Sequence, residues 1–288
     1  MSIEMSRLPT GEVNVRQSFD APAVYMDHWA LMTFAEDREI QDRFVSALQR
    51  KRGTLLISNI SLAEFAGPSD QGHCLAAENF LERVLPHIYL TDFAFDKVLV
   101  RESLEPNNTK RFWPSADLPQ MKLLAELSLK STAQLTIKKF VSLSHEHRVR
   151  ILKKTSEIVT MVVDALEDAR NNSAYVFKAK ITLPSDARPR TAIIMGELMR
   201  GFNLDNNARI TDNDVIDFMH AIVPINCCDF VLLDGSWVGR VNAMAQRIDL
   251  AGLDMPIAKC FSKTRNGGLD AFLSSLESFV QTGTPAIK

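Results

Sequence analysis

The feature that most restricts the fold is a set of short, unbroken apolar runs. They are Ala23–Met26, Thr54–Ser58, His87–Thr91 and Phe230–Leu233, with Ala258–Phe261 as a last candidate. A strand covered on both faces reads as a continuous apolar run, whereas a half-exposed strand alternates. Between the runs the period changes. Ile40, Phe44, Val45 and Leu48 recur at helical spacing within Glu36–Lys51, and Gly53 ends that stretch. Further helices are expected from Ser58–Ser61 through Glu64, over Cys74–Leu85, and near 212–223, 236–248 and Gly267–Val280. Strands that alternate with helices imply βαβ units and a parallel sheet.

From about 92 to 205 that rhythm stops. Helical patterns fall near 92–103, 117–130, 133–142, 144–170 and 187–201, with Tyr175–Ala179 as the one strand candidate. Glu105–Pro119 is rich in Asn and Pro and reads as a loop. The first 20 or so residues are polar and aperiodic and read as a tail. At about 150 residues per domain, 288 residues allow one large domain or two modest ones. Two separate domains would leave each half of the sheet short of partners. The expected class is therefore α/β, one parallel central sheet interrupted by a large helical insertion. Its parts are a tail over 1–22, a first sheet part over 23–92, the insertion over 93–209 and a second sheet part over 210–288.

Composition removes several alternatives. Hydrophobic residues make up 46% and charged residues 24%, which excludes a disordered chain. The net charge of −2 gives no whole-chain footprint for tight, sequence-independent nucleic-acid binding. No apolar stretch approaches a membrane span, and the N-terminus lacks the apolar core of a signal peptide. Cys74, Cys227, Cys228 and Cys260 form no CxxC pair, so a zinc site of ordinary spacing is not expected. A reduced, cytoplasmic protein is the simplest expectation. There is no phosphate-binding GxxxxGK[ST] or GxGxxG run and no GxSxG elbow. His145 and His147 stand two apart, so they cannot share a helix face as the two His of HExxH do.

What remains is a set of acids. Ligands of open parallel sheets bind beyond the carboxyl ends of the strands. Asp27 ends the first run, Asp234 ends the fourth, and Glu64 lies on the helix after the second. Asp217 lies on the helix before the fourth run, with Asp214 one turn earlier and His220 one turn later. Clustered carboxylates repel one another unless a cation offsets them, and hard oxygen donors suit Mg²⁺ or Mn²⁺. Each acid also has a plainer reading, and for Asp27 and Asp234 a turn or an Asx cap could supply the partner. Ser61 to Glu64 fits a capping box, although Ser58 is an equally good cap and would free Glu64. Asp214 could complete a cap with Thr211. Asp229 stands at the wrong end of its strand and reads as structural.

Taken together, the acids resemble the PIN-domain family of metal-dependent nucleases. The matching stretches are Val24-Tyr-Met-Asp27, Ile57 to Glu64, Asn213-Asp-Val-Ile-Asp217-Phe-Met-His220, and Cys228-Asp229 through Asp234. They cover about 23–92 and 210–280. The pattern looks most like bacterial PIN-like proteins with an N-D-x-x-D-x-x-H run. The resemblance implies a three-layer α/β/α PIN-like domain. It implies that Asp27, Glu64, Asp217 and Asp234 hold one or two Mg²⁺ or Mn²⁺ ions for phosphodiester hydrolysis. RNA is the first substrate expected, so the chain would be an endoribonuclease. One of these acids, or Asp214, would orient the attacking water, and His220 would bind phosphate or orient a carboxylate, its plainer reading being a satisfied, half-buried histidine. Leu233 departs from the family, where many relatives carry a polar residue near the final acid, and the long insertion is foreign to its small toxin members.

The insertion offers a basic stretch. Lys138, Lys139, Arg148, Arg150, Lys153 and Lys154 stand against Glu146, a local excess of +5. Such residues would position a strand through its phosphates, and a solvated helix face is the plainer reading. The rival function is a PIN-like binding or scaffold protein without catalysis, with the insertion as partner surface. A protein partner or a homo-oligomer fits either function, and no membrane association is expected. A phosphatase with an Asp nucleophile usually carries a second Asp two residues later, where this chain has Trp29.

Overall fold

A computed structural model describes residues 3–64, 71–92, 95–104, 114–117, 119, 121–122, 141, 145–180, 189–205 and 209–280. Its centre is a five-stranded, all-parallel sheet of β3 (Ala23–Met26), β4 (Thr54–Ser58), β5 (Ile88–Thr91), β6 (Phe230–Leu232) and β7 (Lys259–Phe261). The strand order is β5-β4-β3-β6-β7. Val24 pairs with Leu55 on one side and Phe230 on the other, so β3 joins the two sequence halves. The chain is α/β, and every apolar run read from the sequence is one of these strands.

Helices cover both faces. On the first lie α1 (His28–Glu36), α2 (Arg38–Lys51), α4 (Gln71–Val84) and α11 (Gly268–Ser278). Their Phe34, Phe44, Phe80 and Phe272 pack with Val24, Met26, Leu55 and Ile57 of the sheet in one buried cluster. The rings meet at centroid distances of 5.1–6.1 Å, in tilted, edge-on and stacked pairs. Asp37 separates α1 from α2 by capping the latter, accepting from the Glu39 and Ile40 N–H groups. Arg52 takes the left-handed conformation that closes α2 just before Gly53.

On the second face lie α9 (Asp212–Cys227) and α10 (Gly235–Leu250). Beside them are α6 (Arg148–Asn171) and α8 (Arg190–Leu204) from the insertion. Val159, Leu166, Ile194, Leu198 and Phe202 share a cluster with Tyr25, Leu56 and Val231 of the strands. The insertion's helices thus complete the second layer. The short α3 (Asn59–Glu64) leads off β4, and α5 (Phe95–Ser103) follows β5.

Two expectations are corrected. The tail over 1–22 is not aperiodic: β1 (Ile3–Arg7) and β2 (Val13–Gln17) pair as an antiparallel hairpin. Its end docks on the edge of β5. The Gln17 amide donates to the Leu90 carbonyl at 2.8 Å and accepts from the Leu90 N–H at 3.0 Å. That occupies backbone groups an edge strand would otherwise present for pairing. The strand candidate Tyr175–Ala179 lies in a helix, α7 (Ser173–Lys180), which packs against α6 and α8. Aromatic and β-branched content favours a strand only where a sheet is there to receive it. The helices expected over 117–130 and 133–142 fall largely outside the described residues.

Candidate carboxylate site

Parallel register puts the carboxyl ends of β3, β4 and β6 along one rim. Asp27 follows β3 directly. Its N–H donates to the Leu232 carbonyl at 3.1 Å, and its Oδ1 caps α1 by accepting from the Ala30 N–H at 3.3 Å. The residue is buried at 6% exposure. Burial pushes its carboxyl well above the ordinary carboxylate range. The Ala30 bond pulls it back, and the charges of Asp234, Glu64 and Asp217 add to the rise.

Asp217 lies on α9, half-buried. Its carboxyl is raised to about 6, first by burial and then by the charge of Asp234, with a smaller rise from Glu64. His220 and a hydrogen bond from Trp237 act in the opposite sense. Asp234 is exposed at the start of α10, where its side chain caps no amide. The four acids therefore lie within electrostatic reach of one another.

Ser58, not Ser61, caps α3. Its Oγ accepts from the Ser61 N–H at 3.1 Å, which leaves Glu64 out of any capping box. A chain of buried polar groups then runs through the core. Ser58 Oγ and Ser61 Oγ are 3.0 Å apart, Ser61 Oγ and the Tyr25 hydroxyl are 3.2 Å apart, and Tyr25 bonds to His220 Nδ1. Burial raises the Tyr25 phenol and keeps its proton on. One ordering satisfies each group: Ser58 donates to Ser61, Ser61 to Tyr25, and Tyr25 to Nδ1. His220 Nε2 then faces Glu64 Oε2 at 2.9 Å, off the line a directed hydrogen bond needs, so the contact is electrostatic.

The structure brings Asp27, Glu64, Asp217, Asp234 and His220 together and leaves other expected residues apart. Asp214 is committed to a capping box. Its Oδ2 accepts from the Thr211 N–H at 3.0 Å and hydroxyl at 2.7 Å, and the Thr211 Oγ1 accepts from its N–H at 3.2 Å. Arg148 and Arg150 are exposed on the first turn of α6 and have no ion pair among the described residues. Lys138 and Lys139 lie outside the described residues. Asp229 is structural: its Oδ2 accepts from the Ala23 N–H at 2.8 Å. The four cysteines are buried and in no disulfide. Tyr25 and Trp237 escaped the sequence reading. A tyrosine within an otherwise apolar, doubly covered run was the available signal, because a buried hydroxyl needs a partner.

Among the described residues, no three His, Cys, Asp or Glu side chains form a group that could hold one metal ion. Nor is any described helix long and apolar enough to cross a membrane. In comparisons with protein-family models, with curated proteins and with solved structures, nothing matches this chain.

Proposed function

We propose that the chain is a PIN-like, divalent-metal-dependent nuclease that hydrolyses phosphodiester bonds, RNA foremost. The observation that carries this reading is Asp27. A nearly buried carboxyl ends the central strand of a parallel sheet and is destabilised as an anion first by that burial and then by three other acids on the same rim. Carboxyls perturbed in this way cluster at functional sites. The donor set fits Mg²⁺ or Mn²⁺ in kind, since all four side chains offer carboxylate oxygens. When bound, the ion would activate water and neutralise charge on the phosphodiester. Asp27, Glu64, Asp217 and Asp234 would hold it.

The remaining work falls to the chain's own residues. Ala30 fixes the Asp27 carboxylate, Trp237 orients Asp217, and the Tyr25–His220 pair keeps Glu64 turned towards the rim. Neighbouring groups of this kind hold ligands in register. Four buried thiols in no disulfide favour a reducing, cytoplasmic setting. Purified protein should cleave single-stranded RNA in Mn²⁺ and stop in EDTA, and Asp27→Asn should abolish cleavage. Equal cleavage by Asp27→Asn would overturn the reading.

That no three described His, Cys, Asp or Glu side chains form a metal-holding group favours a second reading, a PIN-like binding or scaffold protein without catalysis. Titration calorimetry separates the two. Absence of Mn²⁺ binding with all four acids intact would select the scaffold.

A further inference from the structure

Gly235 and Gly239 stand one turn apart on α10, immediately after Asp234. A Cβ at Gly239 would fall 2.5 Å from Arg265 Nη1 and 3.4 Å from its Cζ. One at Gly235 would fall 3.6 Å from Arg265 Nε. The Arg265 side chain thus lies in a shallow groove that exists because two helix positions carry no side chain. Glycine is the poorest helix former after proline, so the groove comes at the helix's expense.

The loop bearing Arg265 follows β7 and is pinned from below. Buried Ser262 accepts from the Arg265 N–H at 2.9 Å, and Asn266 donates to the Cys260 carbonyl at 2.7 Å. Lys263 on the same loop sets its ammonium 5.6 Å from the centre of the Trp29 ring, two residues beyond Asp27. Both cations are exposed, and neither has an ion pair among the described residues. They therefore border the carboxylate rim beside Asp27 and Asp234, where the acids alone would repel a polyanion. A guanidinium resting on that groove can offer a phosphate two parallel N–H donors.

We propose that Arg265 and Lys263 form a seat for the phosphate backbone of a single-stranded nucleic acid at the carboxylate site, with the Gly235–Gly239 groove making room for the guanidinium. The assignment rests on the nuclease reading for its choice of ligand. It concerns different residues and has a different readout.

The test is fluorescence anisotropy of labelled oligo(U) on the whole chain, in EDTA, across a salt series. Arg265→Ala and Lys263→Ala should each weaken binding and flatten the slope of log K against log salt by about 0.7, the release expected per phosphate of a single strand. Gly239→Ala keeps both charges and adds a good helix former, but its Cβ takes the guanidinium's place. It should weaken binding without lowering the melting temperature. The seat is overturned if the wild-type chain does not bind oligo(U), or if Arg265→Ala keeps the wild-type slope. Mn²⁺ calorimetry on the same proteins keeps the two readings apart. Arg265→Ala should bind Mn²⁺ as the wild type does, and loss of Mn²⁺ binding in the wild type would sink the nuclease reading alone.

Discussion

Tyr25 and His220 share a hydrogen bond inside the core, phenol to Nδ1, and it turns the opposite ring nitrogen to within 2.9 Å of Glu64. Three segments far apart in sequence, β3, α9 and α3, meet through that one imidazole. Removing the hydroxyl with Tyr25→Phe strands His220 Nδ1 without a partner, while Ser61 keeps its bond with Ser58. A buried group left so costs about 1–3 kcal/mol. At about 2–4 °C per kcal/mol for a chain of this class, the melting temperature should drop by about 2–12 °C. Mn²⁺ affinity should fall about tenfold or more, because a ligand's orienting partner is lost. A thermal melt and a calorimetric titration of the variant check both.

Asp217 makes stability depend on pH in a defined direction. Its folded value of about 6 stands above the ordinary 3.8, so the folded state holds this proton more tightly than the unfolded state does. The resulting stability is fully present below about 3.8 and is lost as pH rises to about 6. In EDTA, Asp217→Asn should be more stable than the wild type at neutral pH, and its advantage should shrink towards pH 4 or so. Urea melts across that range test the sign. A variant less stable than the wild type at neutral pH would contradict it.

Asp214 separates a cap from a ligand. Asp214→Ala removes the bonds that its Oδ2 accepts from Thr211 and leaves the backbone bond to Thr211 Oγ1, so it should cost about 0.5–1.5 kcal/mol, the usual net worth of a hydrogen bond. Mn²⁺ affinity should not change. A Mn²⁺ titration matching the wild type, together with a lowered melting temperature, is the expected pair of results.

Gly53 meets the chain before β3 at close quarters. A Cβ there would lie 2.5 Å from the Pro22 carbonyl oxygen and 2.9 Å from Leu48 Cδ1. The carbonyl cannot retreat freely, because it accepts from the Thr54 N–H at 2.9 Å. Gly53→Ala should therefore destabilise by about 1–3 kcal/mol, as overpacking does, with circular dichroism melts as the check.

The sheet was legible because its strands are covered on both faces. Runs such as Val24–Met26 and Leu55–Ile57 need no alternation to be recognised. The hairpin was not, although Ile3, Met5, Val13 and Val15 do alternate with polar neighbours. Its strands are short and polar on one side, and their docking through Gln17 depends on an edge that appears 70 residues later. The acids at strand ends followed from parallel topology. Their division of labour did not: Thr211–Asp214 and Asp217 share one helix and one motif, and only the cap geometry tells them apart. Arg265 was beyond the sequence, because its groove belongs to α10 and its loop to β7.

Because β3 lies at the centre of the sheet, its second neighbour reaches it late. Ala23 and Asp229, whose contact closes that side, are 206 residues apart. At about 5–20 residues per second, a ribosome would hold β3 with one bare edge for about 10–40 s. The nascent chain therefore emerges with an unsatisfied apolar strand at its heart. Its yield in a cell should depend on chaperone capacity more steeply than the stability of the finished protein would indicate.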